Sequence, residues 1–211
     1  DNLRSLDLDG LVIIGGEGST KGAIALSKIS KTKCVVVPAT IDKDMPLVGS
    51  TIGFDTAINT ALTAIDKIRD TATTANVTHI VEVMGRNCGW LGILAGIGAG
   101  AEVTIIPEIK INIPKLSQKI KDQLNKGKKG CIIILAEGGF SKGGASLASA
   151  LKEEGSFDLR ITTLGHMQRG GNPSAVDRVL ATELGVYAVL SLKDGFSNVI
   201  VAKPLASLDK I

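Results

Sequence analysis

The sequence is poor in the residues that define several functional classes. Aromatic residues make up 3% of the chain, and its three cysteines, Cys34, Cys88 and Cys131, are far apart and include no CxxC pair. This spacing is typical of neither a zinc site nor a redox motif. Cys34 and Cys131 adjoin apolar runs, so we expect buried thiols in a reducing compartment.

Long hydrophobic runs and a strong charge of one sign are missing as well. The longest apolar stretch, Trp90–Ala101, is too short and too rich in glycine to span a bilayer. With 24 basic and 21 acidic residues, the formal net charge is +3, which does not indicate nucleic-acid binding and suits a small anionic ligand equally well. We therefore expect a cytoplasmic protein without a signal peptide and with neither a membrane nor a nucleic acid as partner.

Short apolar runs alternate with longer amphipathic segments along the 211 residues, which include 25 glycines. This alternation predicts an α/β fold with largely parallel, Rossmann-like sheets and helices on both faces, and ligands at the carboxyl ends of the strands. The predicted strands are 10–14, 34–37, 78–83, 103–106, 131–135, 158–164 and 198–202. The predicted helices are 19–28, 53–74, 88–98, 114–126, 144–154 and 174–192.

The first strand leads into a glycine-rich loop, LVIIGGEGSTKGA. Gly15, Gly16 and Gly18 would let the backbone approach a ligand closely, and the helix after Ser19 would direct N–H groups at an anion. Glu17 could hold a metal ion. The loop therefore indicates a nucleotide phosphate site, with a purely structural turn as the alternative.

The second loop, PATIDKD, places two carboxylates at the end of a buried strand. Asp42 and Asp44 can divide the chemistry, one accepting a proton and the other recruiting Mg²⁺, while Thr40 offers a hydroxyl. A solvated turn is the alternative interpretation.

Two further loops carry cationic side chains. In VEVMGRNCG, Arg86 follows Gly85 at a strand end, where a guanidinium can stabilise phosphoryl charge. In RITTLGHMQRGGNPSAVDR, Arg160, His166 and Arg169 could converge on a phosphate monoester. The alternatives are a surface arginine and a histidine without a ligand.

Together these loops resemble the bacterial-type ATP-dependent 6-phosphofructokinase family. GGEGS is similar to the family's GGDGS, and PATIDKD to its PGTIDND; EVMGR, GAEVTIIPE, AEGG and R-x₄-GH-x-QRGG follow in the family's order. The resemblance covers nearly the whole chain and implies two similar α/β lobes, the first lacking its N-terminal strands. Residues 1–52 would be the rest of a nucleotide-binding lobe, 53–195 a sugar-phosphate lobe, and 196–211 a C-terminal strand and tail. We expect further residues upstream.

The resemblance implies transfer of the γ-phosphoryl group of MgATP to the 1-hydroxyl of fructose 6-phosphate, a step of glycolysis. Asp42 would be the general base, and Thr40 and Arg86 would complete the catalytic set. The implied ATP-binding residues are Gly15, Gly16, Glu17, Gly18 and Ser19, and the implied Mg²⁺ ligands are Glu17 and Asp44. The implied fructose 6-phosphate contacts are Thr40, Ile41, Asp42, Met84, Gly85, Arg86, Glu137, Arg160, His166, Met167, Gln168 and Arg169.

The same resemblance implies a homotetramer in which Arg160 reaches the substrate of a neighbouring subunit. It also implies an allosteric site for ADP or phosphoenolpyruvate at a subunit interface. The residues matching that site are Arg69, Glu102, Lys126, Lys128 and Lys129. Three lysines in NKGKKG suit a phosphate clamp, although a solvated turn is the alternative.

Four positions depart from the family pattern. Glu17 replaces an aspartate, Lys43 an asparagine, Ala39 a glycine, and Val77 an arginine that reaches a neighbour's sugar phosphate; that last loss predicts a penalty of about 1.5–3 kcal/mol. Small residues at Ala39 and Gly18 favour ATP over pyrophosphate as donor. The alternatives are therefore a pyrophosphate-dependent phosphofructokinase, or a truncated, non-catalytic regulatory chain that binds sugar phosphate and nucleotide.

Overall fold

A computed structural model describes residues 2–203, so the end of the predicted C-terminal tail lies outside the described residues. In chain order the elements are α1 (Asn2–Ser5), β1 (Leu11–Gly15), α2 (Glu17–Ser30), β2 (Cys34–Pro38), α3 (Phe54–Ala75), β3 (Thr78–Val83), α4 (Trp90–Gly98), β4 (Val103–Ile105), α5 (Ile113–Asn125), β5 (Ile132–Ala136), α6 (Gly143–Glu154), β6 (Leu159–Thr163), a 3₁₀ helix (Gly165–Gln168), α7 (Ala175–Lys193) and β7 (Val199–Ile200).

The described residues divide into two compact units. The first takes its residues from 1–55 and 172–211, and the second is Thr56–Gly171. This division differs from the predicted boundaries, because residues 172–195 group with the first unit. The reason is the packing of α7, whose Leu180 and Leu184 lie against Val35 and Val37 of β2.

The first unit is built on a three-stranded parallel sheet in the order β1-β2-β7. The central strand β2 is buried at every position, as expected of a parallel strand covered on both faces. On one face Ala23 of α2 packs with Cys34 and Val36, and α7 covers the other face.

The second unit holds a four-stranded parallel sheet in the order β4-β5-β3-β6. Helices α5 and α6 bury one face of it. On the other face α4 approaches β5 so closely that a Cβ added to Gly92 would lie 2.9 Å from the Cβ of Ala136. The core beneath α5 and α6 contains Ile80, Ile105, Leu116, Ile120, Cys131, Ile133, Leu135, Leu147, Ala148, Leu151, Phe157 and Leu159.

Local signals explain where two of the helices begin. Asn112 caps α5 by accepting a hydrogen bond from the backbone N–H of Lys115, and Pro114 occupies the first turn. Ser174 caps α7 by accepting from the N–H of Asp177.

The predicted α/β fold with parallel sheets and helices on both faces is confirmed. Cys34 and Cys131 are buried thiols, as predicted. Helix α1 was not predicted, and β7 is shorter than the predicted strand 198–202. Among residues 2–203, no helix is both long enough and apolar enough to cross a membrane.

Candidate functional site

The glycine-rich loop and the aspartate loop lie side by side in the first unit. They follow β1 and β2, neighbouring parallel strands whose carboxyl ends share one edge of the sheet. The N–H of Ala39 donates to the carbonyl of Gly15 at 3.0 Å. A Cβ added to Gly16 would lie 3.3 Å from the Cβ of Thr40. The two loops therefore meet at one edge of the first sheet.

The glycine-rich loop passes directly into α2. Gly16 is the N-cap, and no side chain caps the helix there, so the first-turn N–H groups point out of the sheet edge. A Cβ on Gly15 would collide with Ser19, 2.6 Å from its Cβ, whereas a Cβ on Gly18 would meet nothing within 4 Å. The open space at Gly18 and the helix N-terminus together suit a phosphate group.

Glu17, a predicted Mg²⁺ ligand, is the first residue of α2. Its carboxylate forms an ion pair with Lys21 at 2.6 Å, and both side chains are more than half exposed. The acidic group in the first turn stabilises the helix dipole. Lys21 would compete with a cation for the Glu17 carboxylate.

The aspartate loop is fixed by hydrogen bonds around Thr40. Its hydroxyl accepts from the N–H of Asp42 at 3.1 Å, and its carbonyl accepts from the hydroxyl of Thr51 at 2.7 Å. Asp42 is only 3% exposed and Ile41 is 8% exposed. A carboxylate held this deep at a strand end is what a general base requires for a defined position.

Asp44 and Lys43 differ in their surroundings. The Oδ1 atom of Asp44 is buried and has no hydrogen-bond partner among the described residues, which fits a ligand for a cation. Lys43 adopts a left-handed backbone with φ of 51°, and its ammonium lies 5.1 Å from the centre of the Phe54 ring. Lys43 therefore ties the loop to the start of α3.

Across residues 2–203, no group of three or more His, Cys, Asp or Glu side chains is arranged to hold a metal ion. Magnesium in kinase sites uses one or two carboxylates together with water and substrate phosphates. Asp44 therefore fits as one such ligand, and Glu17 fits less well because of its ion pair with Lys21.

In the second unit, the loop after β3 presents Arg86. Gly85 has φ of 142°, which favours glycine, and Arg86 follows in a left-handed conformation. The N–H of Arg86 donates to Oε2 of Glu137 at 2.9 Å, and the N–H of Cys88 donates to the carbonyl of Gly85. These bonds fix the loop backbone that carries the exposed Arg86 at the carboxyl end of the strand.

A pocket of about 130 Å³ lies beside this loop. It brings together three residues of the predicted substrate set, Met84, Glu137 and His166, with Glu82 and Thr163 in the same lining. The predicted sugar-phosphate residues of β3, β5 and the 3₁₀ helix therefore meet at one end of the second sheet.

Gln168 has a different role from its predicted neighbours. It is 1% exposed; its Oε1 accepts from the N–H of Met84, and its Nε2 donates to the carbonyl of Gly165. These contacts support the pocket wall rather than offer a ligand contact. Met167 and Arg169 are exposed on the same helix and the residue after it.

Arg160 lies away from the pocket, within β6. It is exposed, and its Nε is 3.8 Å from Asp158. It lies three positions before Thr163, which is about 10 Å along a strand. The structure therefore does not bring Arg160 to His166 within one sheet edge, although the sequence allowed them to converge.

The predicted effector residues form a partly connected cluster. Arg69 donates to the carbonyls of Ala99 and Gly100, and Glu102 pairs with Arg69 and Lys128. The Glu102 side chain is 4% exposed and accepts from the N–H of Ile132. Burial opposes its ionisation, but the hydrogen bonds from Lys128 and Ile132 outweigh burial and hold the pKa of Glu102 below its ordinary value.

The other two predicted effector residues, Lys126 and Lys129, are exposed in the segment after α5.

Two further carboxylates of the second unit, Glu82 and Glu108, were not predicted from the sequence. Glu82 lines the pocket and accepts from the N–H of Gly144 and the hydroxyl of Thr163. Glu108 accepts from the N–H of Gly89 at 2.7 Å, at the start of α4. The signal for Glu82 was present in the sequence, since it is the lone carboxylate of β3 and follows the apolar residues Ile80 and Val81.

Comparison with known proteins identifies the family of this chain. The phosphofructokinase family model matches residues 1–192. The chain belongs to the phosphofructokinase family.

Curated phosphofructokinases are similar over most of this chain. It is 47% identical to the ATP-dependent 6-phosphofructokinase of Natranaerobius thermophilus over 201 residues, and 48% identical to that of Bacillus subtilis over 194 residues. These matches cover 95% and 92% of this chain, but the chain spans only 62% and 60% of the length of those two relatives.

Solved phosphofructokinase structures share the fold. The Pichia pastoris phosphofructokinase in the T-state has a TM-score of 0.85 at 32% identity, covering 95% of this chain and 26% of that one. The pyrophosphate-dependent phosphofructokinase of Marinobacter aquaeolei has a TM-score of 0.79 at 25% identity, covering 92% and 54%.

Two of the departures from the phosphofructokinase pattern have a structural explanation. Val77 is 4% exposed, so an aliphatic side chain packs where the pattern has a charged one. Lys43 contacts Phe54 across the loop. Glu17, which replaces an aspartate of the pattern, forms an ion pair with Lys21.

Proposed function

We propose that the protein is an ATP-dependent 6-phosphofructokinase, which transfers the γ-phosphoryl group of ATP to the 1-hydroxyl of fructose 6-phosphate and forms fructose 1,6-bisphosphate in glycolysis. The observation that carries this proposal is the buried Asp42, held by Thr40 beside the glycine-rich loop. The similarity to curated ATP-dependent 6-phosphofructokinases supports the choice of substrates.

In the first unit, the backbone of Gly15, Gly16, Gly18 and Ser19 binds the phosphates of ATP at the N-terminus of α2. Asp42 accepts the proton of the sugar 1-hydroxyl. The deep burial of its carboxylate and the hydrogen bond to its N–H fix the position of the base.

In the second unit, Met84, Glu137 and His166 bind fructose 6-phosphate around the pocket. Arg86 stabilises the negative charge on the phosphoryl group in transfer, which is the main electrostatic requirement of this reaction. The backbone bonds of Gly85 and Arg86 fix the loop from which the Arg86 side chain extends.

Bound Mg²⁺ would supply positive charge against the phosphates of ATP. Asp44 would hold the ion through the buried Oδ1 atom that has no hydrogen-bond partner among the described residues. At Glu17, Lys21 would compete with the ion for the carboxylate.

ATP rather than pyrophosphate is the proposed donor. The space around Gly18 is open, since an added Cβ would meet nothing within 4 Å. Ala39, the other small residue at this edge, has its N–H bonded to Gly15 and its chain in a bridge with Ile52. Neither Gly18 nor Ala39 carries a bulky side chain, so neither residue blocks the space that we propose for the adenosine of ATP.

The proposed assembly is a cytoplasmic homotetramer in which Arg160 contacts the sugar phosphate of a neighbouring subunit. ADP or phosphoenolpyruvate is the proposed effector, bound near Arg69, Glu102, Lys126, Lys128 and Lys129. The position of Arg160, about 10 Å along β6 from the pocket-lining Thr163, supports a contact made between subunits.

The test is a coupled assay of fructose 1,6-bisphosphate formation with fructose 6-phosphate and Mg²⁺, run once with ATP and once with pyrophosphate. Turnover with ATP alone is the expected result. Turnover with pyrophosphate alone would overturn the donor assignment. A folded sample that binds fructose 6-phosphate and ATP without turnover would identify a regulatory chain instead.

A further inference from the structure

A half-buried histidine lies beside Arg160 on the second sheet. In the parallel pairing of β3 with β6, His79 is directly opposite Arg160. Paired residues of neighbouring strands point to the same face, and so does Thr162, two residues after Arg160. The other face belongs to α6, because Ile80 and Ile161 lie beneath its first turn. His79, Arg160 and Thr162 therefore form one group on the face away from α6.

His79 and Thr162 are joined by a hydrogen bond of 2.8 Å between Nε2 and Oγ1. If Nε2 carries the proton, it donates to the threonine oxygen, and the hydroxyl hydrogen remains available for another acceptor. If Thr162 donates to Nε2, the N–H at Nδ1 remains available. In either tautomer the pair retains one proton donor for a ligand.

The charge of this group suits a phosphate. Burial, and then the positive charge of Arg160, lower the pKa of His79, so its imidazole is neutral near pH 7. Arg160 supplies the positive charge, and its exposed neighbour Asp158 is 3.8 Å away. A guanidinium flanked by neutral donors is a common arrangement for binding phosphate monoesters.

Position 77, directly before β3, offers no second cationic contact. Val77 is aliphatic and 4% exposed, so it cannot reach a ligand. His79 is two residues further on and is paired with Arg160 itself. A donor at position 79 therefore reaches the same ligand as Arg160.

We propose that His79 and Thr162 act with Arg160 as a phosphate-binding patch, and that His79 supplies a second contact to the phosphoryl group of the sugar phosphate. This inference rests on the proposed function, which provides the sugar phosphate as ligand. The patch of one subunit contacts the sugar phosphate held in the pocket of a neighbouring subunit.

Nuclear magnetic resonance of the imidazole groups tests the patch directly. The sequence contains two histidines, His79 and His166, so this chain gives two signals, and His79→Gln assigns them. Fructose 6-phosphate is expected to shift both signals saturably, because one histidine lines the pocket and the other belongs to the patch. Fructose, which lacks the phosphate, is expected to leave the His79 signal in place.

Kinetics separate binding from chemistry. His79→Phe removes the donor and is expected to raise the KM for fructose 6-phosphate about tenfold, the effect of one hydrogen bond to a charged group, with kcat changed less than about twofold. His79→Gln, which keeps an amide donor, is expected to restore most of the affinity. Thr162→Val should weaken binding as well, whereas Thr71→Val, at an exposed threonine of α3, serves as the matched control.

Two results would overturn the inference. A shift of the His166 signal without one at His79, together with an unchanged KM in His79→Phe, would exclude the patch and leave the proposed function intact. If neither signal responds and the wild-type protein does not phosphorylate fructose 6-phosphate, both the inference and the proposed function fail.

Discussion

At the scale of single residues, Asp42 carries the largest part of the proposed chemistry. A carboxylate that is 3% exposed is costly to keep ionised unless its surroundings stabilise the charge. Thr40 fixes the loop backbone at Asp42, and Thr51 in turn fixes Thr40. The residue is thus placed by hydrogen bonds of short side chains to the backbone, which leave little freedom of movement.

Asp42→Asn tests the role of this carboxylate with almost no change in volume. We expect kcat to fall by more than about 100-fold, because general-base catalysis contributes on that order, while the KM for fructose 6-phosphate changes little. The measurement is steady-state kinetics with ATP and Mg²⁺. Asp9→Asn, at an exposed aspartate of the same unit, is the control. A kcat within a few-fold of wild type would show that another group accepts the proton.

At the scale of elements, Glu102 connects four segments of the second unit. Its backbone N–H donates to the carbonyl of Ile132 and its carboxylate accepts from the N–H of the same residue, which fixes β4 against β5. Its other contacts lead to Lys128 after α5 and to Arg69 on α3. Arg69 also donates to the carbonyls of Ala99 and Gly100, which follow α4. Through Arg69, the Glu102 carboxylate therefore also stabilises the end of α4.

Glu102→Gln should make this unit less stable at neutral pH and less sensitive to acid. The folded-state pKa of Glu102 lies below its ordinary value, so the stability it contributes is complete above about pH 4.3, the usual glutamate value, and is lost as the pH falls further. We expect a loss of about 1–3 kcal/mol at pH 7.

The measurement is thermal unfolding from pH 7 to pH 3, with Glu153→Gln, an exposed residue of α6, as control. The melting temperature of the wild type should fall more steeply below pH 4.3 than that of Glu102→Gln. Parallel acid profiles would contradict the role assigned to the Glu102 carboxylate.

The helices and strands could be predicted well from the sequence, but which elements pack against each other could be predicted less well. Apolar runs such as that of β5 and caps such as Asn112 are local signals, so the sheet type and most helix ends follow from them. The grouping of α7 with the first sheet depends on which buried side chains it meets, and no local pattern encodes that choice. For the same reason the pairing of His79 with Arg160 became visible only through strand register.

At the site, glycines and charged residues at strand ends were predictable, because loops after parallel strands carry function. The supporting carboxylates Glu82 and Glu108 were not predicted, since each acts on a backbone N–H that is remote in sequence. The support role of Gln168 was hidden in the same way. Sequence patterns therefore locate side chains that face a ligand better than those that hold the backbone.

At the scale of the whole molecule, a net charge of +3 cannot by itself attract a nucleotide strongly. Anion binding must depend on local clusters, and the segment after α5 concentrates Lys126, Lys128 and Lys129 on exposed positions. Lys128 is already paired with the buried Glu102. The remaining two lysines are the better candidates for an effector phosphate.

Lys129→Ala is expected to weaken ADP binding about tenfold, the worth of one charged hydrogen bond. Raising the salt concentration should weaken ADP binding to the wild type, because these charges are exposed. Calorimetric titration with ADP measures both effects, and Lys152→Ala on α6 is the matched control. Unchanged ADP affinity in Lys129→Ala would place the effector elsewhere.

Helix α4 begins at Trp90, directly after the loop that presents Arg86. Trp90 is the only tryptophan in the sequence, and it is 38% exposed. The tryptophan fluorescence of this chain therefore comes from a single residue, four positions after the arginine that is proposed to contact the phosphoryl group. The protein carries its own optical probe, so that occupancy of this loop can be followed in real time without any label.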